Sequence, residues 1–186
     1  MFLLAQRLPQ PVKNILFGNR DKYGTKVIQE DEDWIEWLQI YNDFYTKTQK
    51  KGVGNFVNNS GYKILKKINV TNKTILEIGP GSMYHLKYLQ GTPKNYIIAD
   101  VDKFFLQKSK TKLDDQNITN ESIHIVDRNS SDIEGIEKNS IDVILTFFSL
   151  EHLYNLKENL ISYNQYLSEG GIIVGTVPCE GGLAWG

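Results

Sequence analysis

Glu77, Gly79, Pro80 and Gly81 stand together in the stretch TILEIGPGSMYHLKYL, residues 74–89. An acid closes an apolar run there, and glycines on either side of a proline follow at once. Such a turn lets a ligand approach the backbone, because glycine tolerates conformations that other residues avoid. Phosphate is the usual guest of a glycine turn that opens a helix. The Glu77 carboxylate would repel phosphate and would suit a cation. Asp100 ends the next apolar run about 20 residues on, where an acid can take both hydroxyls of a ribose. Asp127 follows a third run, Phe147 to His152 a fourth, and Pro178 to Gly182 a fifth.

The apolar runs are short, nearly continuous, and alternate with segments of helical spacing. They predict strands over 74–78, 96–99, 123–126, 141–147 and 172–177, with helices over 83–90, 103–113 and 152–167. Gly91 and Pro93 stop the first helix, and Asp102 has the character of an N-cap for the second. This pattern implies a parallel sheet covered on both faces, an α/β domain of Rossmann-like, doubly wound and mostly parallel type. Ligands of such sheets bind beyond the carboxyl ends of the strands.

Two cofactor classes suit an acid at Asp100: nicotinamide dinucleotides and S-adenosylmethionine. The dinucleotide fingerprint G-x-G-x-x-G needs a glycine where Tyr84 stands, and a pyrophosphate would be repelled by Glu77. A sulfonium with an ammonium group carries no phosphate, so the acid selects the second class.

The segments ILEIGPGS, IIADVDKFFLQKS, IHIVDRN, SIDVILTFFSLEHL and LSEGGIIVGTVP resemble the successive motifs of class I S-adenosylmethionine-dependent methyltransferases. They occur in the family's order over residues 71 to 178. The resemblance implies that Glu77, Gly79, Pro80 and Gly81 face the methionine part of the cofactor. It implies that Asp100 binds the ribose, with Val101 beside the adenine. Asp127 would receive the adenine amino group, Arg128 would contribute backbone, and Phe147 and its loop would line the methyl donor. Met83 stands where many members have a third glycine. His152 is the first candidate for a general base and His85 the second, with helix-start packing the competing reading of His152. His124 alternates inside a strand and reads as packing. The fourth motif lacks the Asn/Asp-Pro-Pro-Tyr/Phe form that grips amino acceptors, which points to an oxygen of a small-molecule or saccharide acceptor. The rival readings are a non-catalytic binding or scaffold subunit and a nicotinamide oxidoreductase.

The rest of the chain bounds these readings. Its 186 residues suit one domain with a sizeable core. A net charge of −1 argues against a general nucleic-acid surface, and the lysine clusters read as solvated faces. The single cysteine, Cys179, excludes an internal disulfide and a cysteine-based zinc site, and suits a reducing cytoplasm. No run is long enough for a stable membrane insertion. Composition and motifs leave the oligomeric state open. Residues 1–70 read as an N-terminal arm and helical cap, with Trp34, Trp37, Leu38, Tyr41 and Tyr45 at helical spacing, and 71–186 as the cofactor-binding domain. The glycines of GVGNFVNNSGY could hinge a lid or simply form a linker. The family fold normally adds a helix and two strands after the fifth, so the natural product is expected to continue for about 50–100 residues, a length within common domain size.

Overall fold

Five strands form one sheet in the computed structural model, which describes residues 9, 11, 59–126, 130–153 and 155–177. All of the proposed arm but Pro9 and Pro11, the aromatic stripe, Asp127, Arg128 and the segment from Pro178 lie outside the described residues. The strands are β1 (Thr74–Ile78), β2 (Asn95–Asp100), β3 (Asn120–Ile125), β4 (Ile141–Phe147) and β5 (Leu167–Thr176). Their order is β3-β2-β1-β4-β5, and every neighbouring pair is parallel. β1 therefore lies at the centre, and the chain leaves it towards β2 and returns beside it as β4.

The near-continuous apolar character of the strands follows from cover on both faces. On one face Ile75, Tyr96, Ile98, Val143 and Leu145 pack with Leu106 and Leu113 of the helix α1 (Lys103–Asp115). On the other, Leu76, Ile97, Ala99 and Ile144 pack with Tyr163 and Tyr166 of the helix α2 (Leu156–Tyr166). Each such aliphatic side chain stabilises the fold by about 1.5–3 kcal/mol through burial. Asp102 caps α1, its Oδ1 accepting from the Phe104 N–H at 2.8 Å.

Besides β3, which spans Asn120–Ile125 where 123–126 is expected, three local features differ from the periodicity. The helix expected over 83–90 is a 3-10 helix, Tyr84–Tyr88, because the segment is too short for a regular helix and its turns close on i→i+3 bonds such as Leu89 N–H to Leu86 O at 3.0 Å. The helix expected from His152 splits into a 3-10 turn, Leu150–His152, and α2. Asn155 starts α2, its carbonyl accepting from both the N–H and the Nδ2 of Asn159. β5 begins five residues earlier than the apolar run, with a register shift between Ile141 and Val143 absorbing its polar, glycine-bearing start. Residues 59–62 are helical and continue into a 3-10 helix, Lys63–Lys67.

Among the described residues no helix is long and apolar enough to cross a membrane.

Candidate cofactor site

The carboxyl ends of β1, β2 and β4 meet where β1 lies between strands reached in opposite directions, the crevice that open α/β sheets use for ligands. β1 hands over to the turn at Gly79, whose N–H donates to Ala99 O at 2.8 Å and so extends the pairing with β2. Gly79 has φ +65° and Gly81 φ +55°, left-handed values that favour glycine. A Cβ on Gly79 would lie 2.8 Å from Ser149 Cβ, so the turn after β1 and the loop after β4 are in direct contact. Ser109 of α1 ties the turn from the other side, its Oγ donating to Gly81 O at 3.0 Å.

Met83 adopts φ +51°, the left-handed conformation that the family's third glycine would supply, while its side chain is buried. Left-handed backbone costs a non-glycine residue about 1–2 kcal/mol, which the buried thioether offsets. Met83→Ala and Met83→Gly should both destabilise the fold through lost packing. The glycine variant should nevertheless be more stable than the alanine variant by about 0.5–1 kcal/mol in urea unfolding, the reverse of the order in a helix. An alanine variant at least as stable as the glycine one would mean that the backbone there is unstrained.

Asp100 ends β2 and is partly buried. The Asp102 N–H donates to its Oδ1 at 2.9 Å. Desolvation pushes its carboxyl up to about 7; the Asp102 N–H opposes this, and the Asp102 carboxylate adds to it. Beside it Val101 is 38% exposed and Phe104 59% exposed, apolar surface next to the acid that suits the face of a nucleobase.

Glu77 points beneath the turn rather than out of it and is fully buried. Its Oε2 accepts from Tyr96 Oη at 2.6 Å, and its Oε1 lies 3.1 Å from His85 Nε2. Burial and the nearby Glu77 carboxylate hold the Tyr96 hydroxyl well above its ordinary range. Phe147 turns its ring into the same cluster, stacked on His85 with centroids 5.1 Å apart and edge-on to Tyr62 at 5.2 Å. It can therefore line a ligand only through its backbone in this arrangement.

Phe148, at φ +55°, donates its N–H to Thr176 O at 2.8 Å. The Oγ of Ser149 and the Oγ1 of Thr146 and Thr176 are buried and make no hydrogen bond with the described residues. Buried polar atoms are normally partnered, so unpartnered oxygens around one strand edge fit a polar ligand there. His152 is exposed at the end of its 3-10 turn, its N–H donating to Ser149 O at 3.1 Å.

His124 is a tether away from this edge: its ring nitrogens bond Ser122 Oγ at 2.7 Å and Glu134 O at 2.8 Å, joining β3 to the loop before β4.

The structure thus brings Glu77, Gly79, Pro80, Gly81, Asp100, Val101, Phe147 and His152 to one edge of the sheet. The sequence reading does not single out Tyr62, Tyr96 or Ser109, nor connect His85 with Glu77. A signal is present in the strands themselves: sheet parity places Glu77 of β1 and Tyr96 of β2 on one face, inside the strands, where each polar group needs a partner.

The model of the methyltransferase domain family matches residues 76–175. The chain belongs to that family. The family is that of the class I S-adenosylmethionine-dependent methyltransferases, and S-adenosylmethionine is its cofactor. Among solved structures, the chain is similar to phosphoethanolamine N-methyltransferase 1 of Haemonchus contortus, in complex with phosphoethanolamine and S-adenosylhomocysteine. The identity is 18%, over 76% of this chain and 31% of that one, with a TM-score of 0.57. It is also similar to a Methanococcus maripaludis protein assigned to the S-adenosyl-L-methionine-dependent methyltransferases, at 19% identity, 72% and 62% coverage, and a TM-score of 0.53. A third similar structure is the [4+2]-cyclase SpnF, at 13% identity, 64% and 43% coverage, and a TM-score of 0.50. These likenesses show a shared fold, and the presence of a cyclase illustrates that the fold alone does not choose the reaction. The chain spans less than two thirds of the length of each of these proteins. No curated protein resembles the chain closely enough by sequence to count as a match.

Proposed function

We propose that this methyltransferase domain binds S-adenosylmethionine at the carboxyl edge of β1, β2 and β4 and directs its methyl group to an oxygen of a small-molecule or saccharide acceptor. The observation that carries the reading is the left-handed Gly79–Gly81 turn, clasped between Ala99 and Ser149 and adjoining the Asp100 carboxyl. S-adenosylmethionine, when bound, supplies an already activated methyl group, so the protein's task is alignment and, for a hydroxyl acceptor, removal of a proton.

Each residue then has a defined task. Gly79, Pro80 and Gly81 leave room for the methionine end, with Glu77 supplying negative charge beneath them. Asp100 accepts from the ribose hydroxyls, and Val101 packs on the adenine. Asp127 and Arg128 extend the adenine contacts, and the backbone at Phe147 and Phe148 borders the methyl group. His152 holds the proton released by the acceptor. Residues 71–186 form the cofactor-binding unit and 1–70 the cap, in a cytoplasmic protein that acts on neither nucleic acid nor membrane.

Calorimetric titration with S-adenosylhomocysteine and NADH tests the cofactor half of this reading, with binding of the first alone expected. S-adenosylhomocysteine production in the presence of sugar, phenol and amine acceptors tests the other half. Turnover confined to amines would overturn the oxygen preference, and binding without turnover on any class would favour a scaffold role.

A further inference from the structure

Among the described residues Glu77 is the acid buried completely in the core. An ionised carboxylate in such a place is costly unless it is paired and hydrogen-bonded, so its partners bear on everything that rests on it. The Tyr96 hydroxyl donates to Oε2 at 2.6 Å, the short separation of an O–H bond to a carboxylate. His85, itself 1% exposed, brings Nε2 to 3.1 Å from Oε1 and 3.3 Å from the Tyr96 oxygen. The hydroxyl has one proton, already directed at Glu77. Both neighbours of Nε2 therefore present lone pairs, and Nε2 carries the hydrogen. Nε2 hydrogen-bonds the Tyr96 oxygen, while Glu77 Oε1 makes no hydrogen bond with the described residues and meets Nε2 as a close charge contact.

The imidazole also has a second set of contacts. Its face stacks on Phe147 with planes 30° apart, and the Tyr62 ring lies 5.6 Å away. Phe147 leads directly into Phe148 and Ser149, and Ser149 is the residue that abuts Gly79. His85 thus touches both the carboxylate beneath the glycine turn and the strand whose loop walls that turn.

We propose that His85 is a positioning residue for cofactor binding: through Nε2 it fixes the Glu77 carboxylate under the Gly79–Gly81 turn, and through its ring it seats Phe147 so that the loop after β4 meets that turn. The proposal rests on the cofactor reading given above.

Its buried place rules out direct contact with an acceptor in this arrangement, so the expected signature is in affinity and not in the chemical step. His85→Phe keeps a ring on Phe147 and removes the Nε2 contacts with Glu77 Oε1 and the Tyr96 oxygen. His85→Gln keeps a donor near the Nε2 position, whereas His85→Asn places one near Nδ1.

The test uses calorimetry with S-adenosylhomocysteine on the full chain, at a temperature where circular dichroism shows each variant folded. H85F should raise Kd about 10- to 100-fold, the scale of losing a close polar contact to a buried charge. H85Q should recover most of that loss, and H85N should not. In a Glu77→Gln background H85F should add little, because its target charge is gone. Wild-type protein that binds no S-adenosylhomocysteine would overturn the cofactor reading, and this proposal with it. Wild-type binding with an unchanged Kd in H85F, or an H85F penalty fully additive with Glu77→Gln, would overturn this proposal alone. Should H85F fail to fold, the Gln and Asn variants decide between the outcomes: equal affinity for the two overturns the role assigned to Nε2.

Discussion

Substitution of His152 by alanine is expected to lower methyl-transfer turnover about 10²–10⁴-fold while leaving cofactor affinity nearly unchanged. The side chain stands exposed at the end of the 3-10 turn Leu150–His152, just beyond β4. A general base must be reachable by the group it deprotonates, and the buried His85 is not. The main chain there is held by the His152 N–H to Ser149 O bond, which alanine preserves. Single-turnover rates across pH decide the matter. The wild-type rate should rise as the imidazole deprotonates, and the variant should lose that limb of the profile. A variant turning over at near wild-type rate would mean that alignment alone drives the reaction and that His152 only shapes the turn.

Asp100→Ala is expected to weaken S-adenosylmethionine binding by about 1.5–3 kcal/mol, the scale of hydrogen bonds to a charged group. The acid also predicts two pH effects of opposite sign. Its carboxyl titrates at about 7 in the fold, against an ordinary 3.8, chiefly because burial disfavours the charge. Between those values the folded protein holds a proton that the unfolded chain has released. Stability from the neutral form is therefore complete below the unfolded value and lost as pH rises through about 7. Asp100→Asn should stabilise the ligand-free protein at pH 8 by about 1–2 kcal/mol and have little effect at low pH. Cofactor affinity should follow the other course and improve as pH rises through the same range, because the ribose hydroxyls donate to the ionised form. Unchanged affinity in a folded Asp100→Ala protein would remove this residue from the site.

Much of this was legible in the residues, and what was not has local causes. β1 and β4 have the bounds that their apolar runs predict, since in a central strand covered on both faces the apolar positions reach nearly to both ends. The start of β5 is not legible because Ser168, Glu169, Gly170 and Gly171 carry no apolar signal; they lie between the Leu167 and Ile172 pairings, where the register shifts. The helical spacing after Gly81 predicts a regular helix because periodicity does not reveal a left-handed residue at Met83. For the site, Asp100 and the glycine turn follow from position at strand ends. The inward course of Glu77 does not, because it depends on the β1–β2 register, which sets Glu77 opposite Ile98 and diagonal to Tyr96.

The strand order also bears on how the molecule assembles. β1, β2 and β3 are consecutive in the chain, so the half of the sheet that carries Gly79 and Asp100 closes over short stretches of sequence. The other side of β1 is filled only when β4 arrives, pairing Leu76 with Ile144 across a long loop whose closure costs entropy. On a growing polypeptide the half-sheet bearing the glycine turn is synthesised whole before the strand that leads to Ser149 and His152 emerges. Until then one edge of β1 lies open, its backbone N–H and C=O groups unpaired between apolar side chains, and such an edge is the natural site of mispairing between chains. Delayed closure of β1 against β4 is accordingly the step at which a nascent chain most needs shielding from its neighbours.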